Sequence, residues 1–156
     1  MKLKNVLVFL FISFFIFSAV GCQKEKKQSI LVKYSAEDVQ LLRAVTYDPE
    51  KDPDYPTEKK IQDIEAIKKV METINDQPAE KTAPNPITKF DITYFITMKN
   101  GDYHTYILTN DEENGHRIIY NNLSYRISEN SYKKLHSLYE TLDAKEATAE
   151  IQNVFK

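Results

Sequence analysis

Glycine and cysteine are scarce in this 156-residue chain, which has 3 Gly, 1 Cys and no Trp. Phosphate-cradling loops and dinucleotide-binding turns need glycine so that backbone N–H groups can approach a ligand closely, and these sequence signatures are missing. A single cysteine excludes a disulfide framework and any Cys-rich zinc site. A basic excess is also lacking. The 21 Lys and Arg stand against 23 Asp and Glu, a net charge of −2, so the chain has no electrostatic footprint of a nucleic-acid binder. The length suits one domain and excludes (β/α)8 barrels and polytopic transporters. There is no Gly-x-Ser-x-Gly elbow and no Cys/His pair for nucleophilic catalysis. No cofactor is expected.

What the chain does have is concentrated first at its start. A short polar segment, Met1-Lys2-Leu3-Lys4-Asn5, precedes fifteen residues from Val6 to Val20 broken only by Ser13 and Ser18. A basic start followed by 7–15 apolar residues is the layout of a secretory signal peptide. A retained membrane helix is the alternative, but spanning ~30 Å takes about 20 apolar residues and this run is shorter. Ala19-Val20-Gly21-Cys22 resembles a lipobox, with Gly21 and Cys22 at the cleavage point and Ala19 where leucine is preferred. A thioether-linked diacylglycerol on Cys22, with or without an amide-linked chain, supplies the two or more acyl chains that stable anchoring requires. The expected organisation is a signal peptide over 1–21, a lipidated tether over 22–36, a folded domain over 37–143 and a tail over 144–156. The expected location is the extracytoplasmic face of the cell membrane, with the bilayer as partner through acylated Cys22.

Removing the signal changes the averages. The 135 remaining residues carry 19 basic against 23 acidic groups, net −4, and keep all 10 Tyr but only 3 of the 8 Phe. Gln23 to Ser29 reads as an unpatterned polar tether. Its three lysines could also touch anionic headgroups. Ile30-Leu31-Val32 either pairs with the first strand or extends the tether.

Residues 38–47 alternate with Val39, Leu41, Val45 and Tyr47 at one parity, predicting a half-buried strand. Asp48, Glu50, Asp52 and Asp54 invite a calcium reading, but an EF-hand loop needs Gly at position 6 and Glu at position 12, where Pro53 and Lys59 stand. Three prolines make it a solvated loop. Lys59-Lys60-Ile61 ends a short strand. Asp63 then caps a helix over 64–75 with Ile64, Ile67, Val70, Met71 and Ile74 on one stripe. Gln77 to Pro86 reads as loop.

Ile92, Tyr94, Ile96 and Met98 alternate before Asn100-Gly101, and a second run follows, the signature of a type I′ hairpin. Strands over 116–120 and 123–127 extend the meander. Ser128 caps a last helix with Tyr132, Leu135, Leu138, Tyr139 and Leu142 on one face. Ile151, Val154 and Phe155 in the tail either dock as a short turn or fray. Two amphipathic helices and a sheet with one apolar face predict an α+β two-layer sandwich, an antiparallel meander of four to five strands packed against two helices.

His104, His116 and His136 form no His-Glu-x-x-His or His-x-His pairing. His104 and His116 could meet across adjacent strands, giving a two-ligand metal site or a small envelope hydrolase as the alternative to a binding domain. Exposed histidines explain them as well, and no metal is assigned. Tyr94, Tyr103, Tyr106, Tyr120 and Tyr125 are either cross-strand stabilisers or a contact surface for an envelope protein or glycan.

The lipobox, the run Lys60-Ile61-Gln62-Asp63 into Ile64-Glu65-Ala66-Ile67, and the aromatic hairpin around Lys99-Asn100-Gly101-Asp102 with Tyr125-Arg126-Ile127 and a terminal helix resemble small Bacillus-type lipoproteins of the YhfM-like kind. The similarity spans about residues 36–143. It implies a surface-anchored domain of unknown function in a Gram-positive bacterium, and carries no catalytic or binding residues over. Apart from the resemblance, the expected function is non-enzymatic, a domain that binds or modulates an envelope partner.

Overall fold

Apolar residues spaced three and four apart, each group preceded by a capping side chain, form the two helices. Helix α1 covers Ile64–Asn75, and Asp63 Oδ1 accepts from the Ala66 N–H at 2.8 Å. Helix α2 covers Glu129–Thr141, and Ser128 Oγ accepts from the Ser131 N–H at 3.1 Å. Both caps satisfy donors that the first helical turn leaves without partners. Ile67, Val70, Met71 and Ile74 of α1 and Leu135, Leu138 and Tyr139 of α2 are buried, whereas Ile64 stays exposed at the start of its stripe.

The computed structural model describes residues 28–29, 34–46, 56–83, 90–111 and 115–149. The expected signal peptide, Cys22, the acidic loop 48–54, Ile30 to Val32 and the last residues of the tail lie outside them. Nine strands form one antiparallel sheet, counting a two-residue strand at its edge. They are β1 (Gln28–Ser29), β2 (Val39–Thr46), β3 (Thr57–Ile61), β4 (Pro78–Thr82), β5 (Ile92–Met98), β6 (Tyr103–Asp111), β7 (Gly115–Tyr120), β8 (Leu123–Ile127) and β9 (Glu146–Thr148). The order across the sheet is β1-β4-β8-β7-β6-β5-β2-β3-β9. The protein is α+β, with both helices contributing to one core cluster with one sheet face.

The meander of β5 to β8 follows the predicted order, but the expected four to five strands become nine. The additions come from segments whose composition argues against strand. Pro78–Thr82, expected as loop, pairs with β8 from Ala79↔Ile127 to Thr82↔Ser124. Its proline sits at the first position, where a missing N–H is tolerated. Glu146–Thr148, placed in the tail, pairs with β3, and the Ala149 N–H donates to Pro56 O at 2.8 Å. Gln28–Ser29, placed in the tether, pairs with β4. The folded unit therefore extends beyond 37–143 at both ends.

In β2 the predicted parity also changes. The ladder to β5 shifts between Val39↔Met98 and Leu41↔Thr97, a bulge that places one extra residue in β2. Beyond it Leu42 and Ala44 face the helices, while Val45 turns to the opposite face with Phe95 and Ala149.

Adjacent residues of β3 serve both faces. Lys59, 6% exposed, reaches α2 and donates to Tyr139 O at 3.0 Å and Leu142 O at 3.1 Å, with its ammonium 4.6 Å from the Tyr139 ring centroid. A cation at a helix C-terminus complements the carbonyls left open there. On the other face the buried Glu58 accepts from Arg43 Nε at 2.7 Å. Lys60 Nζ lies 3.0 Å from Glu58 Oε1 as an ion pair without hydrogen-bond alignment.

Turn chemistry differs from the prediction in an informative way. Gly101 N–H donates to Met98 O at 3.0 Å and Met98 N–H to Asp102 O at 2.8 Å, with only Gly101 at positive φ (91°). This is a three-residue loop with a glycine bulge instead of the predicted I′ turn. The I′ requirement of two positive φ values is met one hairpin later, by Asn121 (50°) and Asn122 (60°) between Tyr120 and Leu123. A Cβ at Gly101 would meet no atom within 4 Å, so Gly101→Ala carries only the backbone cost. Urea unfolding is expected to show a loss of about 1 kcal/mol with an unchanged m-value, and an unchanged midpoint would contradict the assigned φ.

Candidate functional site

Alternation along β6 and β7 puts His104, Tyr106 and Tyr120 on the helix-facing side, and the β6–β7 register sets Tyr106 directly opposite Tyr120. Their rings stack with centroids 4.4 Å apart and planes within 4°. Tyr34 comes in from the segment ahead of β2. It stacks on His104 at 4.4 Å, and its hydroxyl lies 2.9 Å from that of Tyr106. The Tyr120 hydroxyl lies 3.3 Å from His104 Nδ1, which closes a circuit of four rings. Burial raises the Tyr106 phenol far above its usual range, and the hydrogen bond to Tyr34 raises it further. Burial also raises Tyr34.

Beside this circuit, at the β5–β6 turn, opens a cleft of about 430 Å³. Tyr34, His104 and Met98 line it, and Asp38, Lys99, Asn100 and Asp102 add polar side chains. Lys99 N–H donates to Asp38 O at 2.8 Å, tying the single 3₁₀ turn Ala36–Asp38 to the hairpin. Asn100 Nδ2 donates to Asp102 Oδ2 at 2.8 Å, and the Asp102 N–H donates to Asn100 Oδ1 at 3.0 Å, so the turn is held from within. The cleft thus combines two carboxylates, one ammonium and one amide with an aromatic and thioether wall. That composition suits a small polar ligand with an apolar portion. The lining residues include no serine, threonine or cysteine, and a Tyr hydroxyl engages Nδ1 of His104.

His116 is elsewhere. It sits opposite Asn110, six residues along β6 from His104, which at about 3.4 Å per residue separates the pair by about 20 Å. The two imidazoles cannot share an ion, which removes the paired-histidine metal or hydrolase arrangement. His116 stacks on Tyr132 at 4.5 Å, and Tyr132 in turn donates to Asp91 Oδ2 at 2.9 Å. His136 lies exposed on α2, its ring 5.8 Å from Tyr132. Among the described residues no group of three or more His, Cys, Asp or Glu is placed to hold a metal ion, and no helix is long and apolar enough to cross a membrane.

The five tyrosines do not form one contact surface. Tyr94 and Tyr106 are core residues, 2% and 1% exposed, and Tyr94 donates to Leu135 O at 3.0 Å. Tyr120 and Tyr125 are half-buried on the same face. Tyr103 alone is exposed, at 62%, on the opposite face, where it stacks on Phe95 at 6.5 Å. Strand alternation divides them, and two helices cover most of what remains.

Sequence reasoning missed Tyr34, Asp38 and Lys99. No periodicity marks Tyr34, and the two charged residues carry no motif. No family model, curated protein or solved structure matches the chain.

Burial raises the phenols of Tyr34, Tyr94, Tyr106 and Tyr132 well above about 10. Below about pH 9 folded and unfolded chains both keep these protons. Above about pH 10 the unfolded chain releases them and the folded chain does not, so stability falls as pH rises. The expected result is one alkaline step in which phenolate absorbance from these residues and loss of helical circular dichroism coincide. Their ionisation in a still-folded protein would contradict the burial assigned to them.

Proposed function

We propose that the protein is a bacterial lipoprotein, anchored through acylated Cys22 to the extracytoplasmic face of the cell membrane. Its α+β domain is a non-catalytic binding or regulatory module for an envelope partner. The reading rests on one observation, the apolar run Val6 to Val20 ending in Ala19-Val20-Gly21-Cys22. The lone cysteine is then the anchor, and two or three acyl chains hold it stably. The cleft at the β5–β6 turn is the ligand-facing part of the domain, since it combines charged groups with a stacked ring wall. The wide separation of His104 and His116 disfavours the paired-histidine hydrolase or metal site. The resemblance to YhfM-like lipoproteins agrees with this reading.

Cys22→Ala blocks thioether formation. It is expected to move the protein from the membrane fraction to the soluble or secreted fraction, or to leave an uncleaved precursor. Unchanged membrane retention of a chain that begins at residue 22 would overturn the lipid anchor.

A further inference from the structure

The first strand sets how the domain meets the membrane. Gln28 and Ser29 pair with Ala79 and Pro78 at the edge of the sheet. Cys22 lies only six residues before Gln28, and a fully extended chain of that length spans about 20 Å. Gln28 therefore stays within about 20 Å of whatever holds Cys22, and β8, two strand spacings on, within about 30 Å. The opposite edge, β9, lies eight strand spacings away, about 38 Å along the sheet.

Among the described residues, strands β1, β4 and β8 carry Lys81 and Arg126 against Glu80, a net +1, and the other described residues carry 10 basic and 14 acidic groups, a net −4. Between Cys22 and Gln28 the sequence adds Lys24, Lys26 and Lys27 against Glu25. Lys81 shares the parity of buried Ala79 on the helix-facing side, and Arg126 pairs with Glu80 on the other, so the two cations flank the edge strand. Both are exposed, and neither has an ion-pair partner among the described residues. Arg126 stands in register between Arg117, which is itself held by Asp111, and Glu80. β1 covers only Pro78 and Ala79 of β4, leaving Glu80 to Thr82 on the outer side of the ladder among the described residues.

We infer that the β1–β4–β8 edge, flanked by Lys81 and Arg126, is a docking surface for the anionic headgroup layer of the bilayer, with the sheet standing edge-on and β9 pointing away. The inference rests on the lipid-anchor reading. A positive edge near the anchor and an acidic remainder orient the domain because an anionic surface attracts one and repels the other within a Debye length.

The test uses the full lipidated protein in vesicles of phosphatidylcholine with phosphatidylglycerol. The Cys22 thiol is consumed by acylation, so a cysteine introduced at Ala83→Cys or Ala147→Cys is the only one to take a fluorophore. Energy transfer to a headgroup-attached acceptor is expected to be several-fold stronger from position 83 than from position 147. Adding Lys81→Gln and Arg126→Gln is expected to narrow that difference. Equal transfer from both positions, in a protein that floats with the vesicles and has a blocked Cys22, would overturn the docking surface alone. A protein that does not float and has a reactive Cys22 would overturn the anchor and the docking surface together.

Discussion

Burial on both faces of the β2–β5 ladder is the constraint that the other elements answer to. A two-strand ladder in mid-sheet cannot leave either side in water when its residues are Leu42, Ala44, Ile92, Tyr94 and Ile96 on one face and Val45 and Phe95 on the other. The helices close the first face, and Ala149, just past β9, packs on the second. The bulge near Leu41 makes this pairing self-consistent. Side chains alternate with period two, so a one-residue shift exchanges the faces, and without it Leu42 and Ala44 would turn away from α1 and α2.

Strand β3 joins the two faces through charge. Lys59 and Glu58 are neighbours in sequence and nearly buried, yet each points to a different side of the sheet. Lys59 fastens the carbonyl end of α2 to the sheet, and Glu58 draws Arg43 and Lys60 together near Phe95. Buried Glu58 depends on these cations, since a carboxylate left there without them would sit in a poorly solvated place. The sheet, the second helix and the far face are thus coupled through two consecutive residues of an otherwise unremarkable TEKKI segment.

Elements with a strong local signal were legible in the sequence. Asp63 and Ser128 are caps as read, both helical stripes bury as spaced except at exposed Ile64 and half-buried Tyr132, and β5 to β8 follow in the expected order. Partner-dependent features were not legible. Pro78–Thr82 is a strand because β8 offers it a ladder, and Glu146–Thr148 because β3 does; neither has intrinsic strand character. The I′ turn needs positive φ twice, and Asn121-Asn122 supplies it where Asn100-Gly101 was the stronger textual signal. At the candidate site His104 was visible as a residue but not as part of a circuit. Tyr34 reaches it from a segment with no pattern, and only the three-dimensional path of the chain brings their rings to 4.4 Å.

The functional reading joins an anchor legible in the first 22 residues to a cleft that only the fold reveals. The sheet begins at Gln28, six residues after Cys22, and Tyr34 lines the cleft. The proposed anchor, the sheet edge and the cleft wall thus follow one another along the sequence. The central claim is that this chain is cut before Cys22 and acylated there. Intact mass analysis of the protein isolated from membranes tests it most directly. The account predicts a chain starting at Cys22 with the added mass of a thioether-linked diacylglycerol, and an unmodified Cys22 or a chain retaining Met1 would contradict it.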